Sequence, residues 1–401
     1  MKTILPASFF VGNRHALRQQ TEAFPIVITA HGALQRTGDG TLPFVQDSNF
    51  WYLTGLDTPD VVLVIEKQAE YLIVPGRSDI RSAFDGAIDE TALTKRSGVQ
   101  TIMHEREGYE RLRSAMKKSG HVSSLLALPL YTARQGLYAH PARRRLLEKL
   151  RRLHPKVTVE DIRPLLRDLR SLKQIVEINC IREAVDITKQ ALAAVETSLQ
   201  QHQYTHEYQL EAALTCAFRM TGSTGHAYLP IVAGGKNATT LHYIENNAPL
   251  QKGSLIVVDV GAEVEHYAAD ITRTFQYGQV SDRQKQVYQA VELIQKQVIS
   301  HMKPGARLSD IERKTERLIG AALYDLGLIT DKKNRADIRC YYPHSVSHFL
   351  GLDVHDVGDY NAPLKAGMVL TCEPGIYIPE EGIGVRIEDD VLITKTGNEI
   401  L

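Results

Sequence analysis

The sequence predicts a mixed α/β (α+β) chain in two domains, residues 1–165 and 166–401. Three observations lead there. Short apolar runs alternate with helical patterns over the first ~160 residues, the pattern changes to long helices near residue 172, and the second part contains an internal repeat.

In the first domain "FPIVITAH", "FWYLTGL", "VVLVIE" and "EYLIVPG" are predicted as strands, being 4–8-residue apolar runs rich in β-branched and aromatic residues. "EGYERLRSAMKKSG" has charged helical periodicity. "HPARRRLLEKLRRLHPK" places Leu146, Leu147, Leu150 and Leu153 on one face of an amphipathic helix, and its basic face reads as a solvated surface. No catalytic constellation stands out in this domain. From Lys173 to Gln200 breakers are scarce and the helical spacing is sustained.

The repeat aligns "KGSLIVVDVG" with "KAGMVLTCEPG". After Gly253 and after Gly367 come an apolar strand, an acid six residues on, and a glycine eight residues on. Each unit follows a helical pair, seen in "YTHEYQLEAALTCAFRMTG" and "RLSDIERKTERLIGAAL", so two related helix-helix-hairpin halves are expected.

"LIVVDVGAEVEHYAADITRTF" puts Asp259 into a run that otherwise reads as buried strand, and Asp270 follows. A hairpin closed by Glu263 to His266 sets these two acids opposite each other, on one face and about 5 Å apart at Cβ. In the second unit "MVLTCEPGIYI" and "IGVRIEDDVLI" flank "PEEG", which sets Glu373 opposite Glu388. Pro374 has no N–H, so the ladder is expected to break beside Glu373.

Four carboxylates meeting in an apolar interior need positive charge, since each unpaired buried ion costs several kcal/mol. Arg386 leaves a large negative excess, whereas two divalent cations would balance four carboxylates. "HSVSHFLGLDVHD" adds His344, His348 and His355, and "TTLHYIEN" adds His242. "VAGGKN" lacks the Lys-Ser/Thr ending of a phosphate loop and reads as a turn.

Composition narrows the partners. Forty-seven basic residues balance forty-seven acidic ones, which gives no electrostatic reason to expect nucleic acid or an anionic membrane surface. A neutral or zwitterionic small substrate is expected. Cys180, Cys216, Cys340 and Cys372 show no CxxC or framework spacing, as free thiols in a reducing compartment would. No leader-like apolar region and no run of eighteen apolar residues occurs, so a cytoplasmic protein is expected.

These residues resemble the pita-bread metallopeptidases, and within them aminopeptidase P and prolidase, the Xaa-Pro peptidases. The resemblance rests on "VVDVGAEVEHYAADITRTF", "HSVSHFLGLDVHD", "LTCEPGIYI" and "GVRIEDDVLIT", in the family's order. "DSNFWYLTGLDTPDVVLVI" is similar to the amino-terminal domain of aminopeptidase P, so the likeness spans essentially the whole chain. It implies two metal ions, Mn2+ by preference with Co2+ or Zn2+ as alternatives, on Asp259, Asp270, His348, Glu373 and Glu388. Asp270 and Glu388 would bridge them, Asp259 complete the first shell, and His348 and Glu373 the second.

The implied reaction is attack of a metal-activated hydroxide on an Xaa-Pro carbonyl, with Glu373 relaying a proton. His242 and His355 would stabilise the oxyanion, His344 and Tyr377 shape the substrate pocket, and Arg386 orient ligands from behind. The expected substrate is a peptide with proline second, and the expected assembly a homo-oligomer, dimer or tetramer. Many relatives have an arginine between the histidine of VHD and the strand of the first glutamate ligand. Here "DVGDYNAPLKAGM" offers only Lys365, which favours aminopeptidase P over prolidase, the alternative. A creatinase-like hydrolase would not need all five ligands, and methionine aminopeptidase ordinarily lacks the extra domain. A non-catalytic binding protein on the same fold is the reading from another class, set against the intact ligand set.

Overall fold

The computed structural model describes residues 3–125 and 140–401, which form two compact units divided at residues 169 and 170. The division falls inside the helix Arg163–Ser171, a little beyond the boundary at 165 that the sequence predicts. Arg170 belongs to the second unit because its guanidinium bonds Asp353 and Asp356 there, at 2.8 and 2.5 Å.

The first unit is built on six strands: β1 (Ile26–Thr29), β2 (Val62–Ile65), β3 (Glu70–Val74), β4 (Ile102–His104), β5 (His121–Ser124) and β6 (Thr158–Asp161). They lie in the order β4-β3-β2-β1-β5-β6. β2 is antiparallel to both β1 and β3, while the outer pairings are parallel. Seven helices accompany them: α1 (Ala7–Gln19), α2 (Ser48–Thr54), α3 (Asp79–Asp85), α4 (Glu90–Ser97), α5 (Glu105–Ser119), α6 (Pro141–Leu153) and α7 (Arg163–Ser171). Leu112 and Met116 of α5 and Leu146, Leu147 and Leu150 of α6 join Val27, Val64, Tyr71 and Ile73 in one core. That is the apolar face the leucine spacing predicts.

One element differs from expectation. "FWYLTGL" is not a strand but most of α2. The Asp47 side chain caps the helix by accepting from Phe50 N at 2.9 Å. Gly55 ends it in the left-handed region at φ 67°, and a Cβ there would fall 2.4 Å from the Phe10 ring. A short apolar run buried on all sides has no periodicity to distinguish helix from strand, so the caps decide.

The second unit has the repeated plan. A 26-residue helix α8 (Ile175–Gln200) and α9 (Glu207–Met220) precede β7 (Ile231–Gly234), β8 (Ser254–Val260), β9 (Glu263–Val264), β10 (Tyr267–Ala268) and β11 (Ile271–Tyr277). Then α10 (Asp282–Ile299), α11 (Leu308–Asp325) and the short α12 (Arg335–Tyr341) precede β12 (Val369–Cys372), β13 (Gly375–Ile378), β14 (Ile383–Arg386), β15 (Asp389–Ile393) and β16 (Asn398–Ile400). Gly253 and Gly367, the two aligned glycines, adopt φ 84° and 93° just ahead of their strands, a region that L side chains avoid. β8 lies between β11 and β7, and β15 between β12 and β16. Val287, Val291, Ile319 and Leu323 of the second helix pair are buried with Leu370, Ile376, Val385 and Val391 of the second hairpin.

The first hairpin is displaced by two residues from its expected register. Asp259 faces Thr272, not Asp270, and Val264 faces Tyr267. The turn is therefore Glu265-His266, with φ 48° and 61°. Positive φ at both central residues is the type I′ pattern, whose twist matches the strands it joins. A displacement of two residues keeps every side chain on its face, so Asp259 and Asp270 still share one.

In the second hairpin Cys372 pairs with Asp389 and Gly375 with Arg386, one continuous register interrupted at Pro374. Glu373 and Glu388 stand opposite each other across that gap. Glu373 N bonds Val346 O at 2.9 Å instead of joining the ladder.

Candidate metal centre

Five side chains that the sequence singles out as ligands come together. Asp259 is the next-to-last residue of the buried strand β8, Asp270 immediately precedes β11, and Glu373 and Glu388 flank the ladder break. His348 comes from the segment before β12, tied to that strand by Thr371 N to His348 O at 3.0 Å. Its Nε2 is 3.3 Å from Asp270 Oδ2 and 3.5 Å from Glu373 Oε1. Ligand atoms of Asp270, His348 and Glu388 all lie within 4.8 Å of one another. Asp259, Asp270 and Glu388 are only 8%, 5% and 2% exposed.

Burial and mutual repulsion push the carboxyls of Glu373 and Glu388 above the usual range, with Asp270 and Asp259 among the repelling charges. Burial would lower His348, but its bond to Asp270 and the charge of Glu373 prevail and raise it to about 9. His348 Nδ1 lies 3.1 Å from Phe349 O. That places the Nδ1 hydrogen on the carbonyl and leaves Nε2 as the atom facing the acids, the usual arrangement of a metal-ligating histidine.

Behind the acids a run of hydrogen bonds fixes Asp259. Arg386 Nη2 donates to Asp259 Oδ2 at 2.6 Å, Nη1 to Tyr377 Oη at 3.1 Å, and Nε to Thr272 Oγ1 at 3.2 Å. His344 Nδ1 lies 2.9 Å from Ser345 O and its Nε2 lies 2.9 Å from Tyr377 Oη. Burial, followed by the charge of Arg386, lowers His344 to about 3, so it is a neutral ring accepting from Tyr377. His344, Tyr377, Arg386 and Asp259 thus form one chain. The His355 ring stands 4.2 Å from that of His348, and burial and that neighbour lower its pKa. His242 is exposed, and is close enough to His344 and His355 to act on the charge of both.

Several contributors are not among the residues the sequence singles out. Tyr228 Oη donates toward Asp259 Oδ1 and Asp270 Oδ1, both at 2.6 Å, which ties the two aspartates together. Thr272 Oγ1 donates to Glu388 Oε2 at 2.6 Å, and Asp390 Oδ2 accepts from Asp270 N at 3.0 Å. No motif marks Tyr228: it reaches acids 31 and 42 positions away, beyond any periodicity. The two threonines at 272 and 371, alternating with the acids on their strands, were the available signal, since Thr371 Oγ1 likewise lies 3.3 Å from Glu373 Oε1.

A second grouping, His31, Asp47 and His140 in the first unit, has metal-like spacing but different chemistry. Asp47 Oδ2 accepts from Arg143 Nη2 at 2.8 Å and lies 3.1 Å from His140 Nε2. His140 Nδ1 accepts from Arg143 N at 3.0 Å, so its hydrogen is on Nε2. Against burial, His140 and Arg143 hold the Asp47 carboxyl well below the usual carboxylate range. Protons and a guanidinium already satisfy this trio, whereas the second unit's acids lack enough cation.

Metallopeptidase family M24 matches residues 179–395, and the N-terminal domain of aminopeptidase P matches residues 10–123. The Xaa-Pro aminopeptidase of Haemophilus influenzae is 34% identical, over 92% of this chain and 87% of that protein. The solved structure of Pseudomonas aeruginosa aminopeptidase PepP superposes with a TM-score of 0.89 at 30% identity, covering 99% of this chain and 95% of that one. Zinc-substituted Escherichia coli aminopeptidase P in complex with product gives a TM-score of 0.85 at 31% identity, covering 99% and 94%. Among the described residues no helix is long and apolar enough to cross a membrane.

Proposed function

The chain belongs to metallopeptidase family M24, and from that premise we propose that it is an Xaa-Pro aminopeptidase, releasing the first residue of peptides whose second residue is proline. The observation that carries the reading is the convergence of Asp259, Asp270, His348, Glu373 and Glu388 with little besides Arg386 and a proton on His348 to offset their charge. Hard oxygen donors with one imidazole suit manganese, with cobalt or zinc as alternatives; an Escherichia coli relative has been solved zinc-substituted. Asp270 and Glu388 would be shared between two ions, with Asp259 on one and His348 and Glu373 on the other. When bound, the ions supply Lewis-acid polarisation and water acidified toward neutrality.

The chain's own residues do the rest. Tyr228 and Arg386 fix both oxygens of Asp259, and Asp390 and Tyr228 fix Asp270. Glu373 takes a proton from the attacking water on its carboxyl and passes it to the proline nitrogen as that nitrogen departs. His242 and His355 bind the scissile carbonyl and stabilise the charge growing on its oxygen. Tyr377, held between His344 and Arg386, walls the pocket.

An Xaa-Pro bond has no N–H and a fixed φ, so a site that recognises it must accept the ring without relying on an amide donor. The segment around Lys365 has no arginine for a substrate carboxylate, which favours the longer peptide over the dipeptide. The reading includes a homo-oligomer and a cytoplasmic setting. Free thiols at Cys180, Cys216, Cys340 and Cys372 suit the latter.

The test pairs an Xaa-Pro dipeptide with the matching Xaa-Pro-Yaa tripeptide in the presence of Mn2+. Release of the first residue from the tripeptide with the higher kcat/KM is the expected result. Cleavage of the dipeptide alone would make the chain a dipeptidase, and cleavage of neither would return it to a binding role.

A further inference from the structure

The residues between β7 and Pro249 form a loop that carries His242 near its middle. Glu207, the first residue of α9, is completely buried beneath it. Its Oε1 accepts from Gly234 N at 2.8 Å and Asn237 Nδ2 at 3.0 Å, at the start of the loop. Its Oε2 accepts from Tyr243 Oη, beside His242, and from Ala248 N at the end of the loop, both at 2.9 Å. The main chain repeats the link, Glu207 N donating to Ala248 O at 3.0 Å.

One helical turn on, Glu211 Oε2 accepts from Asn246 Nδ2 at 2.9 Å. Asn246 is held at φ 45° with its Oδ1 on Val232 N at 2.9 Å. Tyr243, next to His242, also packs on Ile231, Ala233, Ala238 and Val257, the last of them on the strand that carries Asp259.

We propose that Glu207 is the positioning residue for His242: one carboxylate oxygen gathers the start of the loop, the other its end and the tyrosine beside the histidine, and the histidine is thereby aimed at the metal centre. The proposal rests on the role given to His242 above. Four donors converge on one acid, and the donors are two main-chain N–H groups, an amide and a phenol. A glutamine cannot replace it, because its amide nitrogen would face the donors at one end of the loop.

The test measures kcat and KM on an Xaa-Pro-Yaa tripeptide with Mn2+ for Glu207→Gln and Tyr243→Phe, each alone and combined with His242→Ala. Thermal unfolding and metal uptake are followed alongside. A misplacement of about 1 Å costs on the order of 100-fold, so Glu207→Gln is expected to lower kcat by about 10–100-fold. KM and metal uptake should stay within about twofold of the parent. Tyr243→Phe, which removes a single donor and keeps the ring, should lower kcat in the same direction by less, and it serves if the glutamine variant does not fold.

Neither change should lower activity further once His242 is alanine. Parental kcat in Glu207→Gln, or losses that multiply with His242→Ala, would overturn the proposal while leaving the reaction in place. Full activity in His242→Ala alone would instead overturn the role of that histidine, and the proposal with it.

Discussion

Asp270→Ala is expected to lower kcat/KM on a proline tripeptide by at least about three decades, while the chain still folds. Asp270 sits where the first hairpin meets the second: Tyr228 and His348 contact its carboxylate and Asp390 its main chain. As the residue expected to be shared by both ions, its loss should empty or disorder the pair. A bound divalent ion contributes several kcal/mol to such a reaction, and about 4 kcal/mol corresponds to three decades of rate.

Stability should change far less, because losing one of the four acids relieves the repulsion on Glu373 and Glu388 and offsets the lost bond to His348. Steady-state kinetics, metal content and thermal unfolding of the same preparation check all three. Parental kcat/KM with an intact complement of bound metal would sink the assignment of Asp270.

The chelated protein is expected to lose thermal stability as pH rises from 7 to 9, by on the order of 5 °C, and the metal-loaded protein is not. His348 has a folded pKa of about 9, above the value near 6.5 of an unfolded histidine. A raised group contributes stability that is complete below its unfolded pKa and lost as pH climbs through the folded one. Glu373, raised to about 7, adds to the loss at the lower edge of this window, and Glu388 and Asp390 are displaced in the same direction.

The histidines that burial lowers, His31, His226, His344 and His355, act below about pH 6.5 and leave the window clear. A shift of 1–2 kcal/mol moves the midpoint of a unit this size by about 5 °C. Metal reverses the trend, because it binds the deprotonated ligands and binds them more tightly as pH rises. Differential scanning calorimetry across pH 7–9, with chelator and with Mn2+, decides it. Parallel profiles in the two conditions would contradict a cation site at these residues.

What the sequence makes legible here depends on whether local chemistry or distant contacts decide each feature. Pro374 and the turn after Ile378 pin the second hairpin, so the opposition of Glu373 and Glu388 follows from residues close in the chain. The first hairpin turns on Glu265-His266, two residues that seldom carry positive φ, and only the even displacement preserves the shared face. The α2 segment reads as a strand because seven apolar-rich residues cannot reveal a helix, although Asp47 and Gly55 were visible as caps. Tyr228 and Glu207 could not be read at all, since their partners are brought to them by tertiary packing, and a tyrosine or a glutamate in a helical or loop pattern carries no mark of what it will touch.

Two divalent ions held by five side chains of the second unit would together open the Xaa-Pro bond. The most direct measurement adds Mn2+ stepwise to chelated protein while recording bound metal and hydrolysis of an Xaa-Pro-Yaa tripeptide. No turnover is expected without metal, and activity should rise to its plateau as two ions bind per chain. Full activity in chelator, or two bound ions with no cleavage, would contradict it.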